Sequence, residues 1–196
     1  MYANNSLVET FLPKSREFYS LHSILLVIGG TIALAISSKI QIPFYPVPLT
    51  MQTFVILSLS IAYGPRLATA TALLYLFEGA IGLPVFAFGG GLAYFVGPSA
   101  GYLFGFAVAA FTCGWLARMG WDKNVLTTAF AMVIGNALIY IPGLLWLIIV
   151  WNESALQVIH SGFLIFLLPD AVKIALAAAI LPLAWKWVKQ SSPGQD

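Results

Sequence analysis

The chain has 196 residues, of which 60% are hydrophobic and only 8% are charged, and its formal net charge is +2. A soluble domain carries about a quarter of its residues as charged side chains, so this composition predicts a protein whose surface largely faces lipid. The small net charge argues against a nucleic-acid partner, and the single cysteine, Cys113, excludes an internal disulfide and a cysteine-rich metal site.

Long, continuous apolar runs predict membrane-spanning helices, because only helices and closed barrels satisfy all backbone polar groups in lipid. The runs lack the alternation of barrel strands. At about 20 residues per span, the chain has room for about six spans. In chain order we predict helices at about 20–39, 50–63, 66–82, 99–118, 125–150 and 162–188. The predicted organisation is a tail (1–19), a transmembrane solute-binding domain (20–189) and a second tail (190–196).

Two of the predicted connections are apolar but rich in residues that break helices. Residues 40–49 contain three prolines, and residues 82–98 contain two prolines and five glycines. Irregular backbone is tolerated at membrane depth only where protein or a cavity covers it. These two loops are therefore either ordinary turns outside the membrane or re-entrant loops that line a solute pocket.

The basic residues predict the orientation, since cytoplasmic loops are enriched in Lys and Arg. A cytoplasmic N-terminus leaves only Lys39 outside, with Lys173 set aside because it lies within an apolar run. The residues placed inside are Lys14, Arg16, Arg66, Arg118, Lys123, Lys186 and Lys189. This bias predicts two cytoplasmic termini and an even number of spans. Both irregular loops and the 151–161 connection then face outward, which suits capture of a solute from outside.

Asp170 and Lys173 are the most informative pair, because ionisable residues inside a membrane helix are costly and usually functional. Their spacing of three places them on one helix face. Pro169 fits the first turn of a helix, and about 31 Å of helix from Pro169 to Lys189 places the pair near the outer mouth. The pair either faces a ligand, which we prefer, or is a structural ion pair. A urea or amide solute suits it, because Asp170 accepts N–H donors and Lys173 donates to a carbonyl or carboxylate.

Further pocket candidates lie near the two irregular loops. The Gln52 amide can donate and accept hydrogen bonds, although helix packing explains it equally well. Three consecutive glycines allow backbone to approach a ligand closely, and nearby aromatic rings can form an apolar wall. These candidates are Gly89, Gly90, Gly91, Phe86, Phe88, Tyr94 and Tyr102.

Gly29, Ala33 and Ser37 recur at intervals of four in the first span and form a strip of small residues that we call the α1 strip. Such a strip lets another helix approach closely; that helix belongs either to the same chain or to a separate subunit. Glu78 has no obvious partner in the sequence. No catalytic triad, metal cluster or Walker A loop is present, so we expect no enzymatic activity, no metal and no ATP hydrolysis by this chain.

Four stretches together resemble the BioY family, the biotin-specific S components of energy-coupling factor transporters. They are PVPLTMQT at 46–53, YGPR at 63–66, GLPVFAFGGGLAYFVGPSAGYLFGF at 82–106 and Asp-x-x-Lys at 170–173. The resemblance extends over about residues 20–188, with a matching length and six-helix layout.

The resemblance implies an all-α membrane fold with a biotin pocket near the outer face, closed by the two irregular loops. It implies that Asp170 and Lys173 hold biotin and that the α1 strip docks a transmembrane coupling subunit. That subunit connects to two ATPase subunits, which use the ATP. The resemblance also leaves a solitary or self-associating mode open. The expected location is the bacterial cytoplasmic membrane, and the alternatives are an S component for another vitamin or, less favoured, an intramembrane enzyme.

Overall fold

The computed structural model describes residues 6–10, 16–152 and 154–191, which are mostly helical. The main elements are α1 (Arg16–Lys39), β1 (Gln41–Ile42), β2 (Leu49–Thr50), α2 (Gln52–Ala80), α3 (Ala100–Arg118), α4 (Val125–Ile149), α5 (Ala155–Ile159) and α6 (Ile165–Ser191). Short 3-10 turns lie at Val8–Thr10, Leu92–Val96 and Trp121–Lys123, and a π-helical turn, His160–Leu164, joins α5 to α6.

Five helical stretches of the described chain are long and apolar enough to span a membrane. They are Leu21–Lys39, Gln52–Ala80, Ala100–Arg118, Val125–Ile149 and Ala155–Trp187. The predicted first, fourth and fifth spans match these bounds within a few residues. The predicted second and third spans are the two halves of α2, which meet at Gly64.

α2 is broken at Gly64, whose φ of 75° and ψ of 173° are not helical. In a straight helix the 23 residues from Gln52 to Tyr75 would separate them by about 34 Å. Their side chains nevertheless touch, because Gln52 Nε2 donates to Tyr75 Oη over 2.6 Å. The two halves of α2 therefore fold back against each other at Gly64, and Pro65 opens the second half, where its missing N–H does no harm.

The last span begins earlier than predicted, and Pro169 does not start it. Helix already forms at Ala155, within the predicted 151–161 connection, and continues through the π-helical turn into α6 with Pro169 in its interior. Proline there removes the N–H that would bond the Ile165 carbonyl. Such prolines are tolerated in membrane helices because neighbouring groups can satisfy the freed carbonyl. Separately, Tyr102 Oη of α3 donates to the Gly162 carbonyl in the π-helical turn over 3.1 Å.

α3 is the most enclosed helix, and α1 lies at the periphery. Burial covers 67% of the most apolar stretch of α3 but only 28% of that of α1. A Cβ on Gly101 would lie 2.4 Å from the Pro142 carbonyl oxygen, so only glycine lets α3 and α4 approach this closely. Between α1 and α2, Thr31 Oγ1 donates to Glu78 Oε1 over 3.0 Å, which gives Glu78 its partner.

The two irregular loops have defined structure. In the 40–49 loop, β1 and β2 pair antiparallel, with Gln41 opposite Thr50. In the 82–98 loop, Phe86 and Gly89 form an isolated bridge. Gly89 and Gly91 have φ values of 130° and 97°, a conformation that L side chains rarely adopt. These glycines therefore let the loop turn back on itself.

Candidate functional site

A cavity lies between the two irregular loops and the adjoining parts of α2, α3, α4 and α6. It encloses about 560 Å³ of empty space, counting its open mouth. Its walls are Val47, Pro48, Thr50, Gln52, Thr53, Phe86, Ala87, Tyr94, Ser99, Tyr102, Leu103, Phe106, Ile139, Tyr140, Phe166 and Lys173. An apolar, aromatic wall with a few polar groups is typical of a site for a small organic molecule.

Lys173 supplies the formal positive charge in this wall. Lys173 is 6% exposed, and its Nζ donates to the Thr50 carbonyl over 2.9 Å and to Thr53 Oγ1 over 3.0 Å. A third bond, of 2.9 Å, joins it to Asp170 Oδ1. The ammonium group therefore ties α6 to β2 and to the start of α2.

Asp170 lies behind Lys173 rather than in the cavity wall. It is 4% exposed, and its second oxygen, Oδ2, accepts a short hydrogen bond from Tyr140 Oη on α4. Both carboxylate oxygens thus have partners within the protein. A buried charge needs such partners to offset its desolvation, so this geometry favours a positioning role for Asp170 and leaves Lys173 as the group that faces the cavity.

Gln52 connects the cavity wall to the 82–98 loop. Its Nε2 donates to Tyr75 Oη, and Tyr75 Oη donates in turn to the Val85 carbonyl over 2.8 Å. On its other side, Gln52 Oε1 accepts from Thr50 Oγ1 over 3.2 Å. Hydrogen bonds therefore link Gln52 to β2 directly and to the 82–98 loop through Tyr75.

The end of α1 holds the same loop by its backbone. Ser38 Oγ donates to the Val85 carbonyl over 2.8 Å, and Lys39 Nζ donates to the Phe86 carbonyl over 2.5 Å. Gln41 Nε2 reaches the Ala87 carbonyl over 3.2 Å. Three successive carbonyls are thus occupied by side chains of one segment, which fixes the loop over the cavity.

Phe86 points inward from this loop and is 1% exposed. Its ring centroid lies 4.7 Å from that of Tyr94 and 5.4 Å from that of Tyr75, the latter with an edge-on geometry. Burial raises the pKa of the Tyr94 phenol above its ordinary value. The loop therefore contributes a fixed aromatic face to the cavity.

Comparison with known proteins places the chain in a family. The BioY family model matches residues 10–190. The chain belongs to the BioY family. This confirms the predicted family.

Two relatives show how far the likeness to other BioY proteins extends. "Probable biotin transporter BioY" of Rickettsia prowazekii (strain Madrid E) is 34% identical over 185 residues, covering 91% of this chain and 94% of that protein. "Biotin transporter BioY" of Thermotoga maritima is 34% identical over 151 residues, covering 76% of this chain and 88% of that protein. The crystal structure at 2.1 Å of the S-component for biotin from an ECF-type ABC transporter matches with a TM-score of 0.76 and 24% identity. It covers 89% of this chain and 95% of the other, and shows that the two share a fold.

In this BioY chain, the cavity wall contains five of the predicted ligand residues, namely Gln52, Phe86, Tyr94, Tyr102 and Lys173. Within the described chain, Gly89, Gly90 and Gly91 lie outside that wall. A Cβ on Gly90 would lie 2.1 Å from the Leu83 carbonyl oxygen, so this glycine allows the loop to pack on itself. Phe88 is 63% exposed and is not part of the cavity wall.

The α1 strip changes its exposure along the helix. Gly29 is exposed, and a Cβ added there would have nothing within 4 Å, whereas Ala33 is half-buried and Ser37 is buried. The close approach between α1 and α2 is made instead by Gly30, where a Cβ would lie 2.6 Å from Thr71 Cγ2. The part of the α1 strip that remains open to another chain is therefore its Gly29 end.

Sequence reasoning missed Tyr140, Thr50 and Thr53 as members of the BioY cavity. Thr50 and Thr53 lie on either side of Gln52 in the sequence, so their position beside a predicted ligand residue was a signal that could have identified them. Tyr140 lies in a long apolar run that looks like any other membrane span, so its bond to Asp170 emerges only from the packing of α4 against α6. Among the described residues, no three His, Cys, Asp or Glu side chains are grouped as a metal site.

Proposed function

We propose that this chain is the S component that captures biotin and delivers it into the cell. The observation that carries this proposal is a cavity with an aromatic wall that also contains the buried Lys173 ammonium. Two relatives that match most of the chain are called biotin transporters. A transport component of this kind is not an enzyme.

Biotin suits the chemistry of the cavity. It has a rigid bicyclic ring with a urea group and a flexible tail that ends in a carboxylate. The Lys173 ammonium can donate to a carboxylate or to the urea carbonyl, and the Gln52 amide can accept the urea N–H groups. The rings of Phe86, Tyr94 and Tyr102 provide apolar surface for the bicycle. The Asp170 carboxylate holds the Lys173 side chain in position through the 2.9 Å bond between them.

The membrane arrangement we propose has six crossings, with each half of α2 crossing once. The cavity end then faces outward, together with the two irregular loops as a re-entrant cover. Arg66, Arg118, Lys123 and Lys186 lie at the other end and fit a cytoplasmic location in a bacterial inner membrane, with both termini inside. Six crossings and this charge distribution are mutually consistent, since an even number of crossings returns the chain to the same side.

For energy, we propose that the chain works with a transmembrane coupling subunit and two ATPase subunits, with no cofactor of its own. Capture from outside, closure of the 82–98 loop and reorientation by the partner chains form the sequence of steps. The exposed Gly29 end of the α1 strip is the proposed docking surface. The alternative arrangement is self-association. A pull-down from native membranes that recovers ATPase subunits supports the multi-subunit arrangement, and one that recovers only this chain supports self-association.

Equilibrium binding of radiolabelled biotin to the purified chain in detergent tests the proposal. We expect tight, saturable binding that unlabelled biotin displaces and that riboflavin and thiamine do not displace. Biotin methyl ester lacks the free carboxylate, so its weaker competition would indicate that Lys173 meets the carboxylate end. Binding of another vitamin in place of biotin would overturn the biotin assignment while keeping the role of the cavity.

A further inference from the structure

A second cavity lies at the end of the molecule away from the biotin cavity, between the start of α4 and the end of α6. It encloses about 520 Å³ of empty space, counting its open side. Lys186 in its wall is separated from Lys173 by about 20 Å of helix, at 1.5 Å per residue. This groove is therefore a separate site, and the proposed capture of biotin makes no use of it.

The groove combines apolar and cationic surface. Ala179 and Leu183 of α6 and Val125 of α4 form apolar walls, and Leu183 and Val125 are each 52% exposed. At the polar end, Lys123 and Lys186 both line the groove. The apolar walls match the acyl chains of a phospholipid, and the two lysines match an anionic headgroup.

Lys123 is held in place by the packing beneath it. Its Nζ lies 5.0 Å from the centre of the Trp185 ring, a distance at which a cation is attracted to an indole face. Trp185 is 3% exposed, and its Nε1 donates a short hydrogen bond to Asp122 Oδ2. Asp122 is 1% exposed and lies outside the groove wall. The wall of the groove thus contains two lysine side chains, and Lys123 also interacts with the Asp122 carboxyl group, which is buried against Trp185.

We propose that this groove binds an anionic phospholipid, with Lys123 and Lys186 flanking the phosphate and an acyl chain along Ala179 and Leu183. Basic pockets between membrane helices attract anionic headgroups. A free phosphate ion would contact Lys123 and Lys186 but has no apolar part to lie along Ala179 and Leu183. A phospholipid has both an anionic headgroup and apolar chains, so it fits the groove better than a free phosphate ion.

Native mass spectrometry of the delipidated full chain, titrated with phosphatidylglycerol or phosphatidylcholine, tests this proposal. We expect phosphatidylglycerol to bind more tightly, and Lys186→Gln to weaken it about fivefold, as about 1 kcal/mol per surface Lys implies. The double variant Lys123→Gln/Lys186→Gln should weaken it further. Arg66→Gln is the matched control, because Arg66 is an exposed cation at the same end but outside the groove.

Three results would overturn the proposal. They are equal affinity for the neutral and the anionic lipid, equal effects of Lys186→Gln and Arg66→Gln, and displacement of phosphatidylglycerol by an excess of inorganic phosphate. Biotin binding is measured on every variant and should be unchanged, which establishes that each is folded. Because Lys186 is exposed on α6, its single variant keeps the test decisive even if the double variant does not fold.

Discussion

Lys173 uses its three N–H donors within the protein, on the Thr50 carbonyl, Thr53 Oγ1 and Asp170 Oδ1. A ligand that reaches this ammonium must therefore replace one of these acceptors. Asp170 retains Lys173 and Tyr140 as partners, so the bond to a threonine group is the one most readily exchanged. The Asp170–Lys173 ion pair therefore stabilises the packing of α6 and also holds the Lys173 ammonium in place to donate to a ligand.

Removing Lys173 alone and removing the pair should have different consequences. Lys173→Met leaves the Asp170 carboxylate buried without its counter-ion, a change that typically costs about 3–5 kcal/mol. We expect a large fall in thermal stability and at least a tenfold loss of biotin affinity. The double variant Asp170→Leu/Lys173→Met should recover much of the stability but not the affinity. Thermal unfolding in detergent and biotin binding measure the two effects; a double variant that binds biotin normally would exclude Lys173 as a ligand group.

Asp122 makes the stability of the other end dependent on pH. Burial raises the pKa of its carboxyl group in the folded protein, and the hydrogen bond from Trp185 only partly opposes this. At pH values between the Asp122 pKa of about 3.9 in the unfolded chain and its raised pKa in the folded protein, the folded state binds more protons than the unfolded state. The stabilising contribution is therefore complete below the unfolded value and is lost as pH rises through the folded one.

The predicted consequence is a wild-type unfolding temperature that falls as pH rises through this window. Asp122→Asn keeps an acceptor for Trp185 but cannot ionise, so its unfolding temperature should vary less with pH. Unfolding temperatures of both proteins in detergent across acidic and neutral pH provide the measurement. Parallel pH profiles for the two proteins would show that Asp122 does not carry the dependence.

At the scale of elements, the 82–98 loop is held from several sides. Side chains at the end of α1 occupy three of its carbonyls, and Trp146 Nε1 of α4 donates to the Gly97 carbonyl over 2.9 Å. Between these attachments, Phe86 enters the cavity wall against Gly79 of α2. The loop can therefore cover a ligand only if the space at Gly79 stays open.

Gly79→Ala tests this dependence. The added Cβ would lie 2.0 Å from Phe86 Cζ, and overpacking of this kind costs about 1–3 kcal/mol. We expect Phe86 to be displaced, with biotin affinity reduced about tenfold. Gly29→Ala is the control, because nothing lies within 4 Å of that position. In the double variant Gly79→Ala/Phe86→Leu the smaller side chain at 86 should restore part of the affinity. If Gly79→Ala binds biotin normally and the double variant does not differ from it, the position of Phe86 does not affect biotin binding.

The elements show where sequence reasoning reaches its limit. Long apolar runs predicted α1, α3 and α4 because a membrane requires continuous helix of fixed length. The break at Gly64-Pro65 was equally visible. The predicted start of the last span at 162 was too late, because helix already forms at Ala155. Pro169 was expected in the first turn of a helix but lies in the interior of α6. The Tyr140–Asp170 bond is a long-range contact with no local signal.

At the scale of the whole molecule, the two ends differ in chemistry. One end carries the cavity, the irregular loops and Lys173, and the other carries the turn of α2, Trp121–Lys123 and the phospholipid groove. α1 extends between them at the periphery, and its cavity end is bonded to the 82–98 loop through Ser38 and Lys39. A partner chain that binds α1 therefore contacts the helix that also holds the cover of the biotin cavity.

Gly29→Trp tests whether α1 is the docking face. Because Gly29 is exposed with open space around it, the indole should project into the lipid without disturbing the fold, and biotin affinity should stay within about twofold of wild type. An indole at a small-residue helix interface prevents the close approach that such interfaces need, so co-purification with the coupling and ATPase subunits should be lost. Val133→Trp, at an exposed position of α4, is the matched control and should still co-purify. Retention of the partners by Gly29→Trp would place the docking face elsewhere, while biotin capture itself would stand.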